Sequence, residues 1–217
     1  MRKMKDAKKL HLGLTKEEWA IFKPLTTPIK IQNFLDTFPR NMEKTGETYM
    51  SPRQVIKKKK MHCFEGALVA ATALWINGEE PLILDLKAPG DEDHVITLYK
   101  RNGYWGAISK TNHAVLRFRD PVYRTLRELV LSYFNEYTDD NTCRKSLRSF
   151  SKPFNLKKMG VNWITETNDL DHIVQKLDDY PHQSIFPKIN ARFIRPADHM
   201  EKILCQMTEW KKKDKGT

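Results

Sequence analysis

The run from Cys63 to Trp75 constrains the fold more than any other part of the chain. It carries a single charge, Glu65. A helix here is apolar on almost every side and has to sit in the middle of a domain. It is too short to span a membrane. Cys63 falls in its first turn, where unpaired backbone N–H groups and the helix dipole favour an anion. Its thiol should therefore ionise more easily than a free one. The residues that follow predict a strand over 81–86 and then a polar loop, 87–93. That loop delivers His94 at the start of a second strand, Val95 to Tyr99. Arg101-Asn102-Gly103 is a hairpin turn signal, and Tyr104 to Ser109 forms the return strand.

A cysteine heading a buried helix, a histidine heading a strand and a polar residue closing the partner strand form a recognisable order. It resembles the core of the transglutaminase-like, papain-like cysteine enzymes, as a bacterial-type member, over about a quarter of the chain. The resemblance implies a nucleophile at Cys63 and a base at His94. It also implies an α+β fold with a central cysteine-bearing helix packed on an antiparallel sheet and flanked by further helices. In that superfamily an Asp or Asn on the next strand orients the histidine. Here Ser109 stands where Asp is usual, and Asn112 is a second candidate whose amide oxygen can serve. A hydroxyl can accept the imidazole N–H bond but supplies no negative charge. Gln54, nine positions before Cys63, is set against the glutamine that helps form the oxyanion hole in papain-like enzymes. An exposed helical Gln explains it as simply.

The other residues near these positions have plain readings. Glu65 reads as a partner of the helix dipole. His62 is expected to point to another face of the helix than Cys63. Tyr104 and Trp105 either wall the site or simply pack at strand spacing. Asp91, Glu92 and Asp93 either favour the imidazolium form of His94 or are a polar loop. His11, His113, His172, His182 and His199 have no partner pattern and default to the surface. A zinc site from His62, Cys63 and His94 fits no standard spacing.

Composition then narrows the class. The chain has 217 residues, 40% apolar, enough for one large domain or a domain with an appendage. Its formal net charge is +11, and Lys57–Lys60, Lys211–Lys213 and Lys215 supply eight of the positive charges. Such runs are expected to be solvated surface. Without a recognised module they do not make a case for nucleic acid. Cys63, Cys143 and Cys205 are widely spaced, with no metal-ligand spacing among them. No signal region follows the basic N-terminus and no apolar run is long enough for a membrane, so a soluble cytoplasmic protein with reduced thiols is expected.

In chain order, residues 1–14 read as a charged lead. A transglutaminase-like domain is expected over 15–150, with a C-terminal helical extension over 151–217 packed on the same domain. Thr15-Lys16-Glu17-Glu18 is a capping box for a first helix. Pro28 opens a second and Ser51-Pro52 a third. Alternation over 114–119 predicts a strand. Asp120-Pro121 is expected to start a long helix through Val122, Leu126, Leu129, Val130 and Tyr133. Residues 149–158 read as loop and 162–164 as a short strand. Asn168 or Asp169 caps a further helix, and Pro196-Ala197-Asp198 opens the last.

The function that follows is hydrolysis or acyl transfer on an amide or peptide-like bond, through a thioester on Cys63. The Cys63 N–H would help hold the oxyanion. This chemistry requires no cofactor or metal. The alternative is a domain of the same fold that has lost catalysis and serves as a binding module.

Overall fold

The computed structural model describes residues 12–43, 46–139, 142 and 144–208. Cys143, His11, the lysines after position 210 and most of the charged lead lie outside the described residues. The molecule is mixed α+β with an open antiparallel sheet. Its first three helices are α1 (Lys16–Phe22), α2 (Pro28–Asp36) and α3 (Pro52–Lys58). Each starts where the sequence provides a hydroxyl cap: Thr15 accepts from Glu18 N, Thr27 from Lys30 N and Ser51 from Gln54 N. The central helix α4 (Cys63–Ile76) follows, then β1 (Leu82–Lys87), β2 (His94–Arg101) and β3 (Tyr104–Ile108).

All faces of α4 are used. One face lies on β2, where the Thr97 hydroxyl donates to the Ala67 carbonyl at 2.8 Å. The opposite face is covered by α2 and α3. Every residue from Phe64 to Leu74 is buried as a result. Each large side chain among them, such as Leu68 or Leu74, contributes about 1.5–3 kcal/mol of burial. Gly66 is where another chain segment crosses this helix closely: a Cβ there would stand 2.4 Å from Lys110 Cβ.

The sheet order is β4-β3-β2-β1-β5-β7, with β6 also on β1. Here β4 is Arg119–Tyr123, β5 Ser149–Ser151, β6 Phe154–Asn155 and β7 His182–Ser184. Val95, Tyr99 and Ile108 pack toward α4, whereas Ile96, Leu98 and Ala107 pack toward α5 (Leu126–Phe134) on the other face. That second cover explains why β2 is buried on both sides over most of its length. The helix α6 (Asp171–Asp178) adds Ile173 and Leu177 to the cluster around α4, and Leu12 and Leu14 from the lead are buried there too. The chain ends its described part with α7 (His199–Cys205), capped by Asp198.

Several local expectations are corrected. Asp120-Pro121 does not start a helix; it lies inside β4, and the helix starts at Thr125, whose hydroxyl accepts from Glu128 N at 3.1 Å. Proline is tolerated there because β4 is an edge strand and needs no donor on its outer side. The span 149–158 holds two short strands, and 162–164 is a 3-10 turn. Leu170 occupies the cap position of α6, while Asp169 accepts from Tyr49 N instead. The β2–β3 hairpin forms where the turn signal stands. Arg101 pairs with Tyr104 and Thr97 with Ile108 across a two-residue Asn102-Gly103 turn in which both residues have positive φ.

Candidate active site

The start of α4, the loop before His94, the segment after β3, the residues after α5 and part of α6 enclose a cleft of about 800 Å³. Cys63 and His94 both line it, and Cys63 is the first residue of α4. The hairpin register decides the next contact. A one-residue slip would move a side chain to the opposite sheet face. With Thr97 opposite Ile108, residue 109 shares the face of 94 and 96. Ser109 Oγ stands 2.8 Å from His94 Nε2, and both residues are buried. Ser109 spends its own proton on the Leu116 carbonyl, 2.5 Å away. Its oxygen therefore accepts from His94 Nε2–H, which leaves Nδ1 for the sulfur. Gln32 on α2 fixes the backbone of Ser109 from both sides: its Nε2 donates to Ser109 O at 2.9 Å and its Oε1 accepts from Ser109 N at 3.0 Å.

His62 does not point away from Cys63. His62 and His94 both act on the Cys63 thiol electrostatically, and the sulfur itself donates to the Asp93 carbonyl at 3.9 Å. His62 is the N-cap of α4, and its extended backbone turns its ring back over the first turn. The ring is held between Tyr49, edge-on at 6.3 Å, and Phe64, stacked at 6.4 Å. Its Nε2 donates to the Thr48 carbonyl at 2.7 Å, with Glu65 Oε1 at 3.4 Å and Glu43 Oε1 at 3.6 Å. Burial opposes a charge on this ring. The Cys63 thiolate, the Glu65 carboxylate and the Thr48 carbonyl outweigh that, and its pKa is pushed up to about 9. For Cys63, burial alone would push the thiol up. Hydrogen bonds and charge from His62 and His94 outweigh it and hold the thiol well below its ordinary value.

Glu65 is more than a dipole partner. It is fully buried and accepts from His62 N at 2.9 Å, Met50 N at 3.1 Å and Thr48 Oγ1 at 3.1 Å, with Asn41 Nδ2 at 3.4 Å from both its oxygens. Burial raises its pKa against these donors and the His62 charge. The carboxylate thus ties the 41–50 segment to the start of α4 and puts Thr48 beneath His62.

The remaining candidates separate. Asn112 lines the cleft, but its Oδ1 accepts from Arg40 Nη1 at 3.3 Å rather than meeting His94. Gln54 lies outside the lining and donates to the Thr167 carbonyl at 2.9 Å. Lys110 is buried and donates to the Phe38 carbonyl at 2.6 Å. Tyr104 and Trp105 do not line the cleft; Trp105 packs beneath Lys100 on the far hairpin. The side chains of the acidic loop are engaged elsewhere: Asp91 with Ser146, Glu92 with Arg40, and Asp93 with Lys87 and the Ala88 N–H. His182 is not simply surface, since its Nε2 stands 3.0 Å from Asp85 Oδ2. His113 lines the cleft, with Nδ1 at 3.2 Å from the Cys205 carbonyl.

Among the described residues, the one trio of potential metal ligands with atoms within 4.8 Å of each other is Asp85, Asp93 and Asp178. Lys87 Nζ already stands among them, 2.7 Å from Asp93, 2.5 Å from Asp178 and 3.7 Å from Asp85. His62 was missed because adjacent residues within a helix point to different faces, whereas His62 is not helical but the extended cap residue. The readable signal was Glu65 three positions after it, which marks His62 as the cap. Among the described residues no helix is long and apolar enough to cross a membrane. No protein-family model and no curated protein matches this chain.

Proposed function

We propose that this chain is a cysteine hydrolase or acyltransferase of the transglutaminase-like kind, acting on an amide or peptide-like bond. The observation that carries the reading is the bonded path His94 imidazole, Ser109 hydroxyl and Leu116 carbonyl, with Cys63 and His94 lining one cleft. Cys63 gives its proton to His94, the resulting thiolate attacks the carbonyl carbon and the C–O π electrons move to oxygen. The Cys63 N–H, in the first turn of α4, faces the developing charge. Collapse expels the amine, which leaves with a proton from His94, and a thioester remains. Water or an amine then attacks the thioester, gives its proton to His94, and the sulfur departs as thiolate. His62 stays protonated throughout and balances the charge of the free thiolate.

The absence of a carboxylate on His94 favours a second reading, a binding domain without turnover. The test is acylation by p-nitrophenyl acetate. The first reading expects a burst of nitrophenolate equal to the enzyme, one acetyl group on the Cys63 peptide, and faster release with an added primary amine. Absence of acetyl-Cys63 in a folded protein would overturn it and leave the binding domain.

A further inference from the structure

The charge of the cleft runs against that of the chain. The whole sequence has 38 Lys and Arg against 27 Asp and Glu. Among the described residues the cleft is lined by nine carboxylates against two permanent cations, Arg40 and Lys110. Lys87 and Arg119 reach its acids Asp93 and Glu136. Counting them as well, the acids still outnumber the cations by more than two to one. The acids come from separate stretches of chain, including Glu43 and Glu47 before α3, Glu92 before β2 and Glu136 after α5. A concave site with low-dielectric walls concentrates such a field and raises the local concentration of the opposite charge.

A second observation is independent of charge. Asn112 is 6% exposed and lines the cleft, and its Nδ2 has no hydrogen-bond partner among the described residues. Its Oδ1 is taken by Arg40, so the unmet need is for an acceptor. A buried donor left unmet costs about 1–3 kcal/mol. A carbonyl oxygen in the cleft would meet it.

We propose that the cleft takes a basic peptide segment, with a backbone carbonyl on Asn112 Nδ2 and lysine or arginine side chains toward the acidic lining around the reacting amide. This names the substrate class for the cysteine chemistry above and rests on that reading for the reaction, though not for the binding. Both Glu47 and Glu92 are exposed, line the cleft and lie outside the reacting set, so they are the groups to neutralise.

The test uses the full chain and two methanethiosulfonate reagents, one bearing an ammonium and one a sulfonate, with rates at Cys63 taken relative to a small free thiol. The cationic reagent should be preferred by about tenfold or more at low salt. That preference should shrink with added salt and in the Glu47→Gln, Glu92→Gln double variant. In a second arm, blocked tri-lysine peptide should protect Cys63 from iodoacetamide, tri-glutamate should not, and Asn112→Ala should weaken the protection. A ratio equal to that of the free thiol, or one indifferent to salt and to both substitutions, overturns the proposal. The same result holds if tri-glutamate protects as well as tri-lysine. Failure of acetylation with these charge effects intact would remove the enzyme and keep the basic-peptide site.

Discussion

The two histidines beside Cys63 are held by opposite kinds of partner. His62 has the Thr48 carbonyl at 2.7 Å and two carboxylates within 3.6 Å, and its ring is clamped between two aromatic rings. His94 has one neutral hydroxyl at 2.8 Å, itself committed to a carbonyl. A ring facing carboxylates keeps its proton, because losing it would leave a lone pair against acceptors. A ring facing a hydroxyl is oriented and is given no counter-charge. The pair therefore divides what a single carboxylate-backed histidine would do alone. In the proposed chemistry His62 supplies standing positive charge for the thiolate, and His94 carries the proton.

Breaking the His94 side should have the largest effect. His94→Ala removes the proton carrier and should slow acylation of Cys63 by roughly 10²–10⁴-fold, read as the burst rate with the nitrophenyl ester. A fall as large in His62→Gln, with the thiol still ionised, would mean that the roles are reversed.

Breaking the His62 side should act on the thiol instead. His62→Gln keeps a hydrogen bond to Thr48 but removes the charge, so the thiolate fraction at neutral pH should fall by roughly tenfold or more. Thiolate ultraviolet absorbance against pH measures it. The same pair sets a stability profile. His62 is raised from 6.5 to about 9, so its contribution is present below 6.5 and lost as pH rises through about 9. Cys63 is lowered from 9.0, so its contribution is present above 9.0 and lost as pH falls through the native value. Between 6.5 and 9 the two slopes cancel, since native imidazolium–thiolate and unfolded imidazole–thiol each hold one proton. Below 6.5 only the loss remains. Urea unfolding of wild type minus the His62→Gln, Cys63→Ser double variant should therefore be flat over that window and shrink on the acid side.

A smaller effect is expected at the hydroxyl. Ser109→Ala should cost up to about tenfold in acylation, the worth of one orienting hydrogen bond, with the thiolate fraction nearly unchanged. Ser109→Asp is not a repair, because a carboxylate cannot donate to the Leu116 carbonyl and would be buried against it. The smallest effect is expected at Gln54, which lies outside the cleft. Gln54→Ala should leave burst rate and thiol acidity unchanged, and a clear loss would put Gln54 in the oxyanion site after all.

The two sides also differ in how far they could be read from residues alone. The Cys63 and His94 positions followed from signals local in the chain: an apolar run that only a core helix can satisfy, and an Asn-Gly turn between two alternating strands. The approach of Ser109 to His94 followed from the hairpin order, but its face did not: that depends on a register that places 109 on the face of 94, and a slip of one residue would have undone it. At Asp120-Pro121 the local pattern of a capped helix lost to edge-strand pairing, which asks little of a proline. His62 was hidden for a different reason: the direction of a cap residue is set by what lies beneath it, here Thr48 and a buried Glu65.

By itself the sequence determined the mixed α+β character, the central helix and its cysteine, the hairpin and its histidine. These depend on periodicity, caps and turn chemistry within a dozen residues. Only the tertiary structure decided that a second imidazole faces the sulfur, that Ser109 rather than Asn112 takes the ring nitrogen, and that a chain of net charge +11 encloses an acidic cleft. Each of these depends on groups far apart in the chain meeting in space. Composition averages such positions together, whereas Coulomb's law depends on the distance between them.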